Sequence, residues 1–318
     1  MARPTVVFMG TPEFAVPSLK ALHEAGFPVL AAVTQPDRPV GRGRKLMPTP
    51  VKAAAMELGI PVYQPERVSR AEGRAYLESL APDLIVTAAF GQILSQRVLD
   101  IPKIGCLNVH ASLLPKHRGS APVNWCLICG DEETGVTVME MDAGIDTGAM
   151  LVKRSIAILP EDTAETLTQR LSLLGAEMLP EAAQAYADGK LTAVAQNEAE
   201  MTYDPMLQKT DGLIDWRCTA RQVADRVRGV DPWPGAYAPW QGEKLKIWKA
   251  VPTQGEGQPG QVLAADKRLV IACGEGAVEL VTVQAPGGKR MAAADFLRGH
   301  AMEVGSIMPP ADSEGDNT

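Results

Sequence analysis

At 318 residues the chain exceeds one average domain and suits two, and its 46% apolar and 22% charged residues match an ordinary folded protein. No run approaches the ~18 consecutive apolar residues of a membrane span, which excludes a membrane-spanning helix. The net charge of −7 argues against a uniformly basic nucleic-acid binder, yet it is unevenly shared. Residues 1–208 hold 18 basic against 24 acidic side chains, and residues 209–318 hold 13 against 14. Three of the latter acids, Asp312, Glu314 and Asp316, lie in a polar stretch expected to be disordered. A polyanionic partner is permitted, not required.

In chain order, Met1-Ala2-Arg3-Pro4 leads directly into the apolar run Val6-Val7-Phe8-Met9. That run is too short for a signal-peptide core and lacks a cleavage pattern, so a cytoplasmic protein is expected. Short apolar runs predict buried strands over 5–9, 29–33, 84–88 and 106–109, with helix-like spacing over 15–25, 51–58 and 71–80. Two further strands are predicted over 134–141 and 150–158. Glu161-Asp162-Thr163 then opens a helix reaching about 188–189. Alternating β and α units imply an α/β, Rossmann-like, mostly parallel sheet with helices on both faces. Such sheets bind ligands beyond the carboxyl ends of their strands, at a switch point.

From Lys190 the pattern changes. Residues 190–208 read as a linker, and a helix over 220–229 is followed by β-like runs over 245–250, 261–265, 269–273 and 278–283. Gly- and Pro-rich turns separate them, as in a small closed β-barrel. The expected organisation is a catalytic domain over 1–189, a linker over 190–208, a second domain over 209–310 and a disordered tail over 311–318.

Five scattered cysteines do not make a disulfide framework. Cys126 and Cys129 have C-x-x-C spacing, but no second such pair exists to complete a zinc site, and their apolar surroundings favour packing over redox or metal chemistry. No metal is expected. The first strand ends in Met9-Gly10-Thr11-Pro12-Glu13-Phe14, where a dinucleotide fingerprint would need G-x-G-x-x-G. Pro12 and Glu13 stand where a pyrophosphate wants free amides and no negative charge, so Gly10 is read as serving a strand-to-helix turn.

The segment Asn108-Val109-His110-Ala111-Ser112-Leu113-Leu114-Pro115-Lys116-His117-Arg118-Gly119 follows a strand. Residues two apart on a strand share a face, so Asn108 and His110 project together while Val109 points into packing. A Gly-rich loop, Met141-Asp142-Ala143-Gly144-Ile145-Asp146-Thr147-Gly148, then supplies Asp146 as a carboxylate partner. Acyl transfer to an amine passes through a tetrahedral oxyanion. Asn108 could donate to that oxygen, a contribution of ~3–4 kcal/mol from a preorganised donor. His110, if kept protonated beside Asp146, adds a second donor, and Asp146 can accept the amine's proton. Taken singly the elements are weak: the histidine could be structural and Asp146 could merely accept backbone amides in a turn. An aspartic-protease reading of Asp146-Thr147-Gly148 would need a second copy of the motif, and the sequence has none.

In combination these strings resemble the formyltetrahydrofolate-dependent formyltransferases. The likeness covers nearly the whole chain, including Phe8–Ala15, Gln35-Pro36-Asp37-Arg38-Pro39, Gly41-Arg42-Gly43, Ala89-Phe90-Gly91-Gln92-Ile93-Leu94 and Asp231-Pro232-Trp233-Pro234-Gly235-Ala236. The resemblance implies Asn108, His110 and Asp146 as catalytic residues. It implies 10-formyltetrahydrofolate as formyl donor, bound near Ser112, Leu113, Leu114, Pro115, Phe90, Gln92 and Asp142. It implies initiator methionyl-tRNA as acceptor, an OB-like C-terminal barrel and a monomer. The chain departs from the pattern at His117, where an aromatic residue is usual, at Ala149 where an acid is usual, at Val230-Asp231 and at Tyr203-Asp204-Pro205-Met206.

The connection 34–50 is long for a β–α loop and, with Lys52, carries Arg38, Arg42, Arg44 and Lys45 against Asp37 alone. Charge by itself is also consistent with a solvated loop. The resemblance makes it an insertion that wedges at the tRNA acceptor end, with Arg42 as its key cation. In the second domain Arg217, Arg221, Arg226, Arg228, Lys244, Lys246, Lys249 and Lys289 could add phosphate contacts, whereas Trp233 and Trp240 are read as packing residues. The rival readings are formyl transfer to a small amine, a hydrolase releasing formate, and a non-catalytic binding protein.

Overall fold

A computed structural model of the chain describes residues 2–40 and 45–309. Two compact units emerge: one runs to Pro122 and includes 133–156 and 168–204, and the other comprises 123–132, 157–167 and the chain from Pro205. In chain order the first stretch of polypeptide forms β1 (Val6–Gly10), α1 (Val16–Glu24), β2 (Val29–Val33), β3 (Arg38–Val40), β4 (Lys45–Met47) and α2 (Pro50–Glu57). It continues with β5 (Val62–Tyr63), α3 (Ala71–Leu80), β6 (Leu84–Ala88), α4 (Gln96–Leu99), β7 (Gly105–His110) and β8 (Arg118–Gly119). Then come α5 (Pro122–Cys129), β9 (Glu133–Glu140), β10 (Met150–Ala157), α6 (Ala164–Ala187) and β11 (Tyr203–Asp204).

Seven of these strands form one sheet in the order β10-β9-β7-β6-β1-β2-β5. The pairs from β7 through β5 are parallel, and β9 runs antiparallel to β7. Every residue of β1 and β6 is buried, as continuous apolar runs in a doubly covered parallel sheet require. The chain moves outward from β1 to β2 and β5, then returns to place β6 on the other flank of β1. That reversal is the switch point, and Gly10-Thr11 and Ala88–Phe90 lie at its carboxyl rim. There the Thr11 hydroxyl donates to the Phe90 carbonyl (2.9 Å) and Gln35 Nε2 donates to the Gly91 carbonyl (2.9 Å).

Gly10 serves the tight turn predicted from sequence: a Cβ on it would sit 2.6 Å from the Ala15 Cβ. Gly175 does equivalent work on α6, where a Cβ would lie 2.7 Å from Val109 Cγ1. Val109 therefore packs against α6, which turns its strand neighbours Asn108 and His110 to the opposite face.

The second unit adds α7 (Ala220–Gly229), β12 (Ala236–Trp240), β13 (Glu243–Thr253), β14 (Val262–Ala265), β15 (Leu269–Ala272), β16 (Ala277–Gln284), β17 (Met291–Ala292) and α8 (Ala293–Gly299). Its antiparallel sheet follows β12-β13-β16-β15-β14, with β17 on β16. A reciprocal Thr219–Gln222 cap starts α7, and its apolar face joins a core built around Trp216 and Phe296. Trp240 packs edge-on against Phe296 at 5.3 Å between ring centroids. Trp233, expected to pack, is instead 53% exposed. The Cys126–Cys129 pair also divides: α5 buries Cys126 and leaves Cys129, its last residue, exposed. Among the described residues no helix is long and apolar enough to cross a membrane.

Candidate active site

Asn108 and His110 occupy the carboxyl end of β7, and the loop between β9 and β10 brings Asp146 to them. Asn108 Nδ2 donates to Asp146 Oδ1 at 3.4 Å, and His110 Nδ1 lies 3.6 Å from the same oxygen. His110 is buried and Asp146 retains 17% side-chain exposure, so the three groups meet at an accessible rim rather than inside a sealed core. The convergence expected from the alternation of a strand is therefore present.

The chemical identity of each donor follows from its other partners. His110 Nε2 lies 2.8 Å from the His117 carbonyl. A carbonyl only accepts, so Nε2 carries a proton and Nδ1 is the ring nitrogen presented to Asp146 and to a substrate. The Thr87 hydroxyl donates to Asn108 Oδ1 at 2.8 Å, which fixes the amide with its NH2 toward Asp146. Asp146 adopts a left-handed backbone (φ 54°) while its Oδ2 accepts the Gly119 N–H at 2.9 Å. Such a conformation costs a non-glycine residue ~1–3 kcal/mol and persists only when neighbours impose it. Gln196 does so: its Nε2 donates to the carbonyls of both Asp146 and Gly148 at 2.8 Å. Gln196 is oriented in turn by buried Arg118, whose Nε donates to Gln196 Oε1 at 2.9 Å and whose NH1 and NH2 grip Glu198.

Thr87, Gln196 and the backbone of 117–119 were not singled out by sequence reasoning. Thr87 sits on β6 and meets Asn108 only because β6 and β7 pair in register, Thr87 opposite Asn108. Gln196 lies in a stretch that reads as linker, with no periodicity to mark it.

The residues expected around the folate lie on the same rim, and the structure shows what their side chains do. Ser112 Oγ donates to the Lys116 carbonyl (2.7 Å), and Thr137 on β9 holds the Ser112 carbonyl (2.7 Å) and the Leu114 N–H (3.2 Å). Leu114 and Pro115, joined by a cis peptide, are buried, and Leu113 approaches Gly135, where a Cβ would come within 2.6 Å of Leu113 Cδ2. Phe90 is buried at the end of β6. Gln92 Oε1 accepts the Val68 N–H and its Nε2 reaches the Pro65 carbonyl, so this amide ties two loops together. Asp142 Oδ1 accepts the Gly144 N–H and the Thr147 hydroxyl and so shapes the loop that carries Asp146. These residues build the rim, and of the apolar ones only Leu113 keeps part of its side chain open to a ligand.

Of the expected tRNA-contacting cations, Arg38 is exposed at the start of the β3–β4 hairpin. Arg42 and Arg44 lie outside the described residues, as does the side chain of Lys45. Lys52 is paired with Asp37, whose carboxyl is held below its ordinary range by that bond and by Gln64. Lys52 is thus part of the loop's anchor, not of a free basic patch. A separate depression of about 580 Å³, lined by Arg74, Glu78, Arg97, Asp100 and Lys103 among others, lies before the amino ends of β6 and β7, across the sheet from this rim. Among the described residues no three His, Cys, Asp or Glu side chains gather as a metal-ion site.

A doubly covered α/β sheet, with an amide, an imidazole and a carboxylate gathered at its carboxyl rim, defines a group-transfer enzyme. The chain belongs to the formyl transferase family, which it matches over residues 3–183, with the family's C-terminal domain over 206–301. It is 52% identical to the methionyl-tRNA formyltransferase of Geobacter metallireducens, over 96% of this chain and 98% of that protein. It is 48% identical to the methionyl-tRNA formyltransferase of Caldanaerobacter subterraneus, over 95% and 99%. Among solved structures, an N-formyltransferase from Helicobacter canadensis in complex with folinic acid and dTDP-3-aminofucose shares the fold (TM-score 0.68, 19% identity, 87% of this chain and 98% of that one). HypX from Aquifex aeolicus in complex with tetrahydrofolic acid does so too, over 95% of this chain and 48% of its own (TM-score 0.61, 19% identity).

Proposed function

We propose that this chain transfers the formyl group of 10-formyltetrahydrofolate to the free amine of initiator methionyl-tRNA, as a monomer in the cytoplasm. The observation that carries the reading is the approach of Asn108 and His110 to one oxygen of Asp146, at 3.4 and 3.6 Å, in a chain about half identical to methionyl-tRNA formyltransferases along its length. The rim fits a folate in its chemistry: half-buried Leu113 and exposed Ile93 and Ile145 supply apolar surface, and the polar side chains beside them are committed to holding the loops. Folate bound there supplies the activated formyl carbon.

The chain's own residues do the rest. Asn108 Nδ2 and, when the ring is the imidazolium, His110 Nδ1 face the place where negative charge develops as the amine adds to the carbonyl carbon. A donor already aimed there needs no reorganisation and contributes ~3–4 kcal/mol. Asp146, held by Gly119 and Gln196, accepts the proton the amine must lose, for roughly 10²–10⁴-fold in rate. Holding both substrates at this rim supplies the remaining advantage by proximity. The basic connection 34–50, with Arg38, Arg42, Arg44 and Lys45 in its sequence, is suited in charge to the phosphates and splayed bases of an acceptor end.

Purified protein incubated with labelled formyl-folate and either charged initiator tRNA or small amines tests the assignment. The reading predicts label on methionyl-tRNA. Label on an amino sugar nucleotide alone, or released as formate, would overturn it.

A further inference from the structure

One short segment touches both the catalytic ring and the catalytic carboxylate. The His117 carbonyl accepts from His110 Nε2, and the Gly119 N–H donates to Asp146 Oδ2. The segment does not hold itself in place. The His117 N–H donates to Thr202 Oγ1 (2.7 Å), the Arg118 N–H to the Thr202 carbonyl (2.9 Å) and the Ser120 N–H to the Asp204 carbonyl (3.0 Å), so that β8 pairs with β11. Next to this ladder His117 Nδ1 stands 2.8 Å from Asp204 Oδ2. Both residues are buried, at 7% and 5% exposure. His117 has a left-handed backbone (φ 59°), and a Cβ on Gly119 would come within 2.3 Å of the Asp204 carbonyl.

His117 and the stretch 203–206 read in the sequence as departures from the resembled pattern, and the structure joins the two in one contact. A buried carboxylate needs a partner, and an imidazole donating through Nδ1 satisfies it. The pair therefore commits the His117 side chain. With the side chain anchored and the backbone left-handed, the carbonyl of the same residue faces His110 Nε2.

We propose that His117 and Asp204 form a positioning pair, setting the His117 carbonyl against His110 and the Gly119 amide against Asp146. Neither touches substrate; both act through the catalytic groups. The inference rests on Asn108, His110 and Asp146 being the catalytic trio, as read above.

The test compares Asp204→Ala, the double variant His117→Phe/Asp204→Ala, and the controls His110→Ala and Asp146→Ala. The readouts are kcat, KM for each substrate, melting temperature and the imidazole ¹⁵N–¹H resonances of His110. Asp204→Ala is expected to lower kcat on the order of 10–100-fold, as a small misplacement of a catalytic group does, with both KM values within about twofold of wild type. The His110 Nε2 resonance shifts with it. The double variant leaves neither buried polar partner unpaired, so its melting temperature moves back toward wild type while kcat and the resonance stay displaced; full recovery of kcat would overturn the pair. An Asp204→Ala protein that melts earlier but keeps wild-type kcat and wild-type His110 resonances would overturn the pair alone. Wild-type rates in His110→Ala and Asp146→Ala would overturn the trio, and the pair with it.

Discussion

Replacing Thr87 by valine removes one hydroxyl and keeps a β-branched side chain of similar volume in a strand with no exposed residue. Thr87 is 3% exposed, and its hydroxyl lies nearer to Asn108 Oδ1 (2.8 Å) than to the Leu107 carbonyl (3.2 Å). The bond orients an amide; it does not supply the donor. Its net worth is ~0.5–1.5 kcal/mol, whereas a complete oxyanion donor is worth ~3–4 kcal/mol, so the barrier should rise by ~1–2 kcal/mol. That corresponds to roughly 5–30-fold in the rate of transfer. Thr87→Ser keeps the hydroxyl and should stay within about threefold of wild type. The assay is single-turnover formyl transfer with both substrates saturating, beside a separate titration of folate affinity. Asn108→Ala should lose on the order of 10²–10³-fold, and adding Thr87→Val to it should cost little more, because the hydroxyl then has no amide to aim. Thr87→Val at the wild-type rate, or with its loss confined to folate affinity, would refute this reasoning.

Gln196→Ala removes the two hydrogen bonds that hold Asp146 in its left-handed conformation. The expected result is roughly a tenfold loss in kcat and faster amide exchange over 142–148, read by steady-state kinetics and hydrogen-exchange mass spectrometry. Arg42→Ala should lower transfer to tRNA far more than folate affinity, and equal losses in both assays would contradict the proposed acceptor-end contact. Asp83 supplies a pH test of the fold. Hydrogen bonds from the Thr5 backbone and hydroxyl, with Lys103 beside them, lower its carboxyl from 3.8 to about 2. A depressed carboxylate contributes its stability fully above its unfolded pKa and loses it as pH falls through the folded one. Denaturant unfolding between pH 5 and 2 should therefore show wild-type stability falling more steeply with acid than that of Asp83→Asn.

Much of the catalytic unit was legible because its strands are continuous apolar runs and its helices are amphipathic. The strand predicted over 29–33 and the helices over 71–80 and 220–229 have the observed bounds. Helix α5 was missed for the opposite reason: Pro-Val-Asn-Trp-Cys-Leu-Ile-Cys is apolar at nearly every position, so no 3.6-residue period remains to be read. Strand β12 contains Pro239, which argues against a central strand, and the structure places it at the sheet edge, where a missing N–H is tolerated. In the site, the projection of Asn108 and His110 to one face follows from strand alternation alone. Thr87, Gln196 and the His117–Asp204 contact could not be read that way. Each joins residues on different elements, and no local spacing encodes the register of β6 on β7 or the return of the 196–204 stretch to β8. Nor did charge reveal that Lys52 is spent on Asp37, since pairing is a property of the folded loop.

The central claim is that Asp146 takes the proton of the attacking amine while Asn108 and His110 hold the developing negative charge. Single-turnover transfer by Asp146→Asn, with donor and charged tRNA both saturating, tests it most directly. Asparagine keeps the shape and can still accept the Gly119 N–H, but it is a far weaker base. The expected outcome is a loss of roughly 10²–10⁴-fold in the chemical step with the affinity for both substrates retained. A chemical step within a few fold of wild type would contradict the account.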